Sequence, residues 1–225
     1  MLSWEPIPKA YSGQTVFVIG GGPSAESTPW ERLIDKATLG CNAAAFVLPK
    51  GCCKWALFGD RPFFRAFRHL LKQYVDWGGR LINATGRPID QDNTWMLHVN
   101  RSNSRKNWGI SVDPSTVRWN RSTGGCAINV AYLLGAREIV LIGFDMKAIE
   151  EKKQHNWHNA YDKHYEKGSN NGGIVKPGLK QYQLNMIHAF PVIAKEIERL
   201  GVKCWNTYAD SNIKDFPYRP LEEFL

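Results

Sequence analysis

Short apolar runs that end in glycine or a small polar residue alternate along this chain with stretches of helical spacing. Residues 15–20 read as a first strand, in which Val16, Phe17, Val18 and Ile19 lead straight into Gly20, Gly21 and Gly22. Residues 29–34 follow as a short helix, with Thr28 as N-cap and Pro29 at the first position. A second strand at 39–42 ends in Asn42, and a third at 55–59 is ended by Gly59 and Asp60. Residues 62–74 then place Phe63, Phe67, Leu70, Leu71 and Tyr74 on one helical face. A fourth strand is expected at 80–84, and ordered structure again at 116–119. A helix of small residues at 122–134 is capped by Gly135 and followed by an apolar strand at 138–143. The last units are a helix over 179–200, bent or divided at Pro191, and a strand at 202–205.

Strands alternating with helices in short units predict an α/β fold, a single doubly wound, mostly parallel sheet of Rossmann-like type. One domain over residues 1–225 accommodates it, with polar insertions at 85–115 and 146–178 as loops or lids. Within the first insertion Trp95 and Met96 are a candidate short strand. Ligands of such sheets sit beyond the carboxyl ends of the strands, where strand order reverses. That rule nominates residues 20–24, Asn42, Asp60, Asp145 and Asn206.

Composition narrows the partners. The 225 residues, 43% hydrophobic and 22% charged, suffice for a core without metal or disulfide staples. No apolar run approaches the roughly 20 residues of a membrane span, and the first 14 residues lack a signal-peptide apolar region. The five cysteines (41, 52, 53, 126, 204) contain no CxxC, so reduced thiols, a cytoplasmic location and no zinc site are expected. The net charge of +8 suits an anionic ligand, a nucleic acid or an acidic surface. Without a helix-turn-helix, RNA-recognition or zinc-finger pattern, nucleic acid is the minor option. Homo-oligomerisation is compatible with the sequence.

Two segments have the form of phosphate sites. Gly20, Gly21, Gly22, Pro23 and Ser24 follow a buried strand, so amides would approach a phosphate closely and a helix behind would aim its positive end at it. The alternative is a tight turn that needs glycine for steric reasons alone. Arg121, Ser122, Thr123, Gly124 and Gly125 combine a cation, two hydroxyls and two glycines at a helix start. There the alternative is capping by Ser122 or Thr123, with glycine for close packing. Neither segment is a Walker motif. A GxGxxA match at 20–25 is weakened by Pro23 and by Asn42, where a dinucleotide fold needs an acidic residue. The stretch 155–165 carries His155, His158, His164, Tyr161, Asp162 and Tyr165, offering a general base. Two further readings are a metal held by His158, Asp162 and His164, and a solvated aromatic loop.

GGGPS, the strand-ending Asn42, RSTGG followed by LLGAREIVLIGFD, and a His-bearing loop together resemble bacterial CMP-sialic-acid-dependent sialyltransferases. The same blocks look like a wider family that includes archaeal 6-hydroxymethylpterin pyrophosphokinases and phage-encoded proteins of unassigned role. The ending with Gly201, Val202, Lys203, Asn206, Ser211, Phe216 and Pro217 is similar to that wider group. The match covers about residues 15–60 and 117–225. The resemblance implies a Rossmann-like fold, with residues 20–24 and Asn42 around a nucleotide and Asp60 beside the donor. It also implies Arg121, Thr123, Gly124 and Gly125 along sugar and phosphate, and His158 or His164 as the catalytic base. Two positions depart from the pattern: Gly21 replaces an asparagine, and Lys147 replaces a tyrosine that stabilises the leaving phosphate. Lys147, or Tyr161 and Tyr165, would take over that role.

The function expected is transfer of a glycosyl group from a nucleotide-activated donor to a hydroxyl, needing no cofactor, with the acceptor unspecified. A second reading is magnesium-dependent pyrophosphoryl transfer from ATP to a pterin-like alcohol, with Asp60 and Asp145 as metal carboxylates. A third is a phage or prophage accessory protein that binds without turnover.

Overall fold

The computed structural model describes residues 4–87, 89, 94–147, 156–164 and 186–225. Nine strands are present among them: β1 (Thr15–Ile19), β2 (Ala37–Cys41), β3 (Trp55–Phe58), β4 (Arg80–Asn83), β5 (Leu97–His98), β6 (Asn100–Ser102), β7 (Thr116–Arg118), β8 (Glu138–Ile142) and β9 (Lys203–Asn206). Seven form one sheet in the order β5-β4-β3-β2-β1-β8-β9, and every pairing in it is parallel. β6 and β7 make a separate parallel pair. The fold is α/β and Rossmann-like. Strand order runs outward from β1 through β2 on one side and from β8 through β9 on the other, so the reversal falls between β1 and β8.

Burial on both faces explains why β1 and β8 are continuous apolar runs. Val16 and Val18 point into one core with Leu39, Leu57, Ile139 and Leu141. Phe17 and Ile19 point into the opposite layers. Four α-helices are described: α1 (Ala44–Val47), α2 (Arg61–Asp76), α3 (Thr123–Leu133) and α4 (Phe190–Arg199). In α2 the helical spacing buries Phe63, Phe64, Phe67, Leu71 and Tyr74. α3 is buried nearly all round, between the large sheet, α4 and β7. Its small residues allow that approach, and its length is the 11 residues between Ser122 and Leu134.

Several expectations are corrected. The turn after β1 continues into a five-residue 3₁₀ helix, Pro23–Ser27, in place of an α-helix. The helix expected at 29–34 is a 3₁₀ turn, Trp30–Leu33, with Pro29 and not Thr28 as its N-cap. The 85–115 stretch holds two strands, β5 and β6, and a 3₁₀ turn, Arg105–Asn107, and the strand lies just after Trp95 and Met96. These strands are two and three residues long and owe their existence to neighbours β4 and β7. Pro191 opens α4 in its first turn, where a missing N–H costs nothing, and Ile187–Ala189 precedes it as a 3₁₀ turn. The rest of the helix expected from 179 lies outside the described residues. All five cysteines are buried and free, and burial pushes the Cys53 and Cys126 thiols up to about 12. Among the described residues no helix is long and apolar enough to cross a membrane.

Candidate functional site

The two glycine turns lie on one rim, joined through Phe144. A Cβ on Gly20 would stand 3.1 Å from the Phe144 ring, and one on Gly124 would stand 2.9 Å from it. Parallel pairing sets this up. The Gly20 amide donates to the Ile142 carbonyl and the Gly22 amide to the Gly143 carbonyl, both at 2.8 Å. Gly22 also lies against the Asp145 carboxylate, with no room for a side chain. Asp145 is 2% exposed and accepts from the Ser24 amide at 3.0 Å and from its hydroxyl at 2.5 Å. Burial raises the Asp145 pKa, while the Ser24 bonds and nearby Lys147 pull it down. The chain's own carboxylate therefore occupies the amide that the sequence assigns to a phosphate.

The segment 156–164 covers the same turn. The Trp157 indole N–H donates to the Gly20 carbonyl at 3.0 Å, and its backbone N–H donates to the Gly21 carbonyl at 3.1 Å. Trp30 packs on Trp157 with ring centres 4.9 Å apart. Tyr161 accepts from the Ala43 amide at 3.3 Å and packs on Phe63 and Phe67. His158 stands edge-on to Trp157 and Tyr161, and its Nδ1 accepts from the Ala160 amide at 3.3 Å. Burial lowers its pKa to about 4, with Asp162 opposing the shift. His164 sits against Phe67 at 4.7 Å. His158, Asp162 and His164 do not converge on a metal position, and the described residues hold no group of three or more potential ligands. His155 and Tyr165 lie outside the described residues.

On the opposite wall, Ser122 caps α3. Its Oγ accepts from the Gly125 amide at 2.9 Å and its carbonyl from the Cys126 amide at 3.0 Å. The first-turn amides of Thr123 and Gly124 have no partner among the described hydrogen bonds. Asn42 reaches across from β2 and donates to Thr123 Oγ1 at 3.4 Å. The other side-chain atom, Asn42 Oδ1, is buried without a hydrogen-bond partner. All four non-glycine residues with positive φ in the described structure follow strands at this rim: Asn42, Asn120, Arg121 and Met146. Such backbone is costly, and its concentration here is the kind of strain that accompanies binding sites.

Of the remaining nominees, Lys147 and Asn206 border this cluster and Asp60 lies apart from it. Lys147 donates to the Asp210 carbonyl at 3.1 Å and lies over the Tyr208 ring. Asn206 is internal, donating to the Phe144 carbonyl at 3.4 Å. Asp60 stands at the end of β3, beyond β2, and faces Arg101; crowding raises its pKa and Arg101 lowers it, although the residue is exposed overall. Two buried asparagines, Asn120 and Asn129, were not among the residues that the sequence nominates. Asn120 binds both the N–H and the C=O of Gly109, and Asn129 does the same for Ser111. A buried polar residue in an apolar helix, as Asn129 is in α3, was the one available clue.

No protein-family model matches the chain, and no curated protein matches it. Among solved structures the chain is similar to the MAf glycosyltransferase from Magnetospirillum magneticum AMB-1, with a TM-score of 0.58, 18% identity and 97% of this chain covered. It spans 35% of that chain's length. The likeness is one of fold.

Proposed function

We propose that this chain transfers a glycosyl group from a nucleotide-activated donor to an acceptor hydroxyl. The observation that carries the reading is the buried, unpartnered Oδ1 of Asn42, whose Nδ2 reaches Thr123 at the capped start of α3, on the rim where both glycine turns meet. The likeness of fold to a glycosyltransferase is consistent with it.

In this reading Arg121 and the amides of Thr123 and Gly124 hold the phosphate, with the positive end of α3 behind them. Asn42 accepts a hydrogen bond from base or ribose. Residues 20–24 shape the crevice more than they donate to it, since their amides at 20, 22 and 24 are engaged within the chain. Lys147 has donors left after its bond to Asp210 and offsets charge on the leaving nucleotide. A ring with a pKa of about 4 is a weak base, so His164 takes the acceptor proton and His158 holds the segment in place. Sialic acid carried on CMP is the donor that the sequence resemblance favours. A pyrophosphokinase is less well supported, because Asp145 is committed to Ser24 and Asp60 faces Arg101.

The test is a screen of purified protein against CMP-, UDP- and GDP-sugars, reading donor hydrolysis and thermal stabilisation. One nucleotide class should stabilise and turn over in the parent, and should do neither in Arg121→Gln. Stabilisation without turnover by any donor would favour a binding protein, and no response to any donor would overturn nucleotide binding altogether.

A further inference from the structure

Beyond β2 from the switch point, the carboxyl ends of β3, β4 and β6 line a second cavity of about 350 Å³ that opens broadly to solvent. Residues 59–61, 85–87, Arg101 and Asn103 bound it. Three of these are arginines. Arg61 and Arg87 are exposed at the mouth, and Arg101 is half-buried within. Arg101 is fixed from two sides: it donates to the Gly59 carbonyl at 2.7 Å and its guanidinium lies 4.6 Å from the centre of the Trp119 ring.

Glycine makes room for that arrangement. A side chain on Gly59 would collide with Trp119, and a Cβ on Gly86 would stand 2.9 Å from Arg101 Cβ. The guanidinium is nonetheless incompletely satisfied, because its Nε is buried without a hydrogen-bond partner. An arginine remains cationic even where burial lowers its pKa, as it does here. The start of the 16-residue helix α2 borders the same space, and Asp60, its N-cap, makes no side-chain capping bond. An anchored guanidinium whose charge is only partly offset by the neighbouring Asp60 carboxylate, two further arginines and a helix N-terminus form a receptor for an oxyanion.

We propose that this cavity binds the phosphate or carboxylate of a hydroxylated small molecule of sugar size. Arg101 grips the oxyanion, Arg61 and Arg87 close over it, and Asp60 accepts a hydrogen bond from a ligand hydroxyl. The volume falls at the small end of the range for small-molecule pockets. That the ligand is an acidic acceptor rests on the transferase reading above. The binding itself does not.

Isothermal titration calorimetry of the full chain with glucose 6-phosphate, glucuronate, inorganic phosphate and glucose tests this. Saturable binding is expected for at least one sugar acid and none for glucose; the preferred acid identifies the oxyanion. Arg101→Gln should weaken binding at least tenfold. Arg61→Gln and Arg87→Gln, at exposed positions where folding is not at stake, should each weaken it severalfold. Arg121→Gln should leave it unchanged while removing nucleotide stabilisation, which separates the two sites. The proposal is overturned if no anionic probe gives saturable heat, or if neither exposed-arginine variant weakens the binding. Equal affinity for inorganic phosphate and both sugar acids would overturn the sugar-sized ligand.

Discussion

Asp145 caps the turn after β1 by accepting both the amide and the hydroxyl of Ser24, at 3.0 and 2.5 Å. A carboxylate from the end of the neighbouring strand thus stands at the strand-order reversal of this sheet. Removing it leaves two half-buried donors of Ser24 without their acceptor, at about 1–3 kcal/mol for each such group when fully buried and less here. Asp145→Ala should lower stability to chemical denaturation by that order. An unchanged midpoint would show that Ser24 is satisfied some other way.

Gly22 tests the steric role of the same turn. Its φ of −66° suits any residue, so conformational freedom is not why glycine is there. A Cβ would instead run into the Asp145 carboxylate and approach the Gly143 carbonyl to 2.7 Å. Gly22→Ala should cost about 1–3 kcal/mol, in the range of overpacked cores. A Tm equal to that of the parent would contradict the close approach.

Asn42 should trade stability against binding. Its φ of 53° is a conformation that costs most residues roughly 1–2 kcal/mol and glycine almost nothing. Glycine's greater freedom in the unfolded chain offsets about 0.5–1 kcal/mol of that gain. Asn42→Gly should therefore stay within about 1 kcal/mol of the parent in stability and lose nucleotide-dependent stabilisation. Retained stabilisation would remove Asn42 from the site.

His158 sets a pH dependence with a definite sign. Its pKa falls from 6.5 to about 4 on folding because burial disfavours the charged ring. Between those values the unfolded chain holds a proton that the folded chain does not. Stability is therefore fully present above pH 6.5 and declines as pH falls towards 4, by at most about 3 kcal/mol from this group. Equilibrium unfolding across that window should show a shallower decline in His158→Phe than in the parent.

Asn129 tethers the 111–118 stretch from inside α3. Its Oδ1 accepts from the Ser111 and Arg118 amides at 3.0 and 2.9 Å, and its Nδ2 donates to the Ser111 carbonyl at 3.0 Å. Asn129→Leu fills similar space and leaves three backbone groups unpaired. A loss of about 3 kcal/mol or more is expected by urea denaturation. A smaller effect would mean that water reaches these groups.

Much of the scaffold is legible in local patterns. A run such as residues 16–19 ending in three glycines has few alternatives to a buried strand, and the spacing of Phe63, Phe67, Leu71 and Tyr74 specifies a helical face. The helix start at Ser122 was equally readable, because capping depends on residues three apart. The short turn after β1, the strands β5 and β6, and the tethering by Asn120 and Asn129 were not readable. Each depends on partners distant in the chain, and local periodicity records only which positions are buried.

The sequence by itself determined an alternating α/β chain with glycine at two strand-to-helix turns and polar residues at the strand ends. Tertiary structure decided what occupies those turns. Asp145 reaches Ser24 across 121 positions, Phe144 wedges between Gly20 and Gly124, and Arg101 reaches the end of β3 from the stretch that local patterns read least well. Hydrogen bonds and packing between distant segments set these contacts, and a one-dimensional pattern of burial does not encode them.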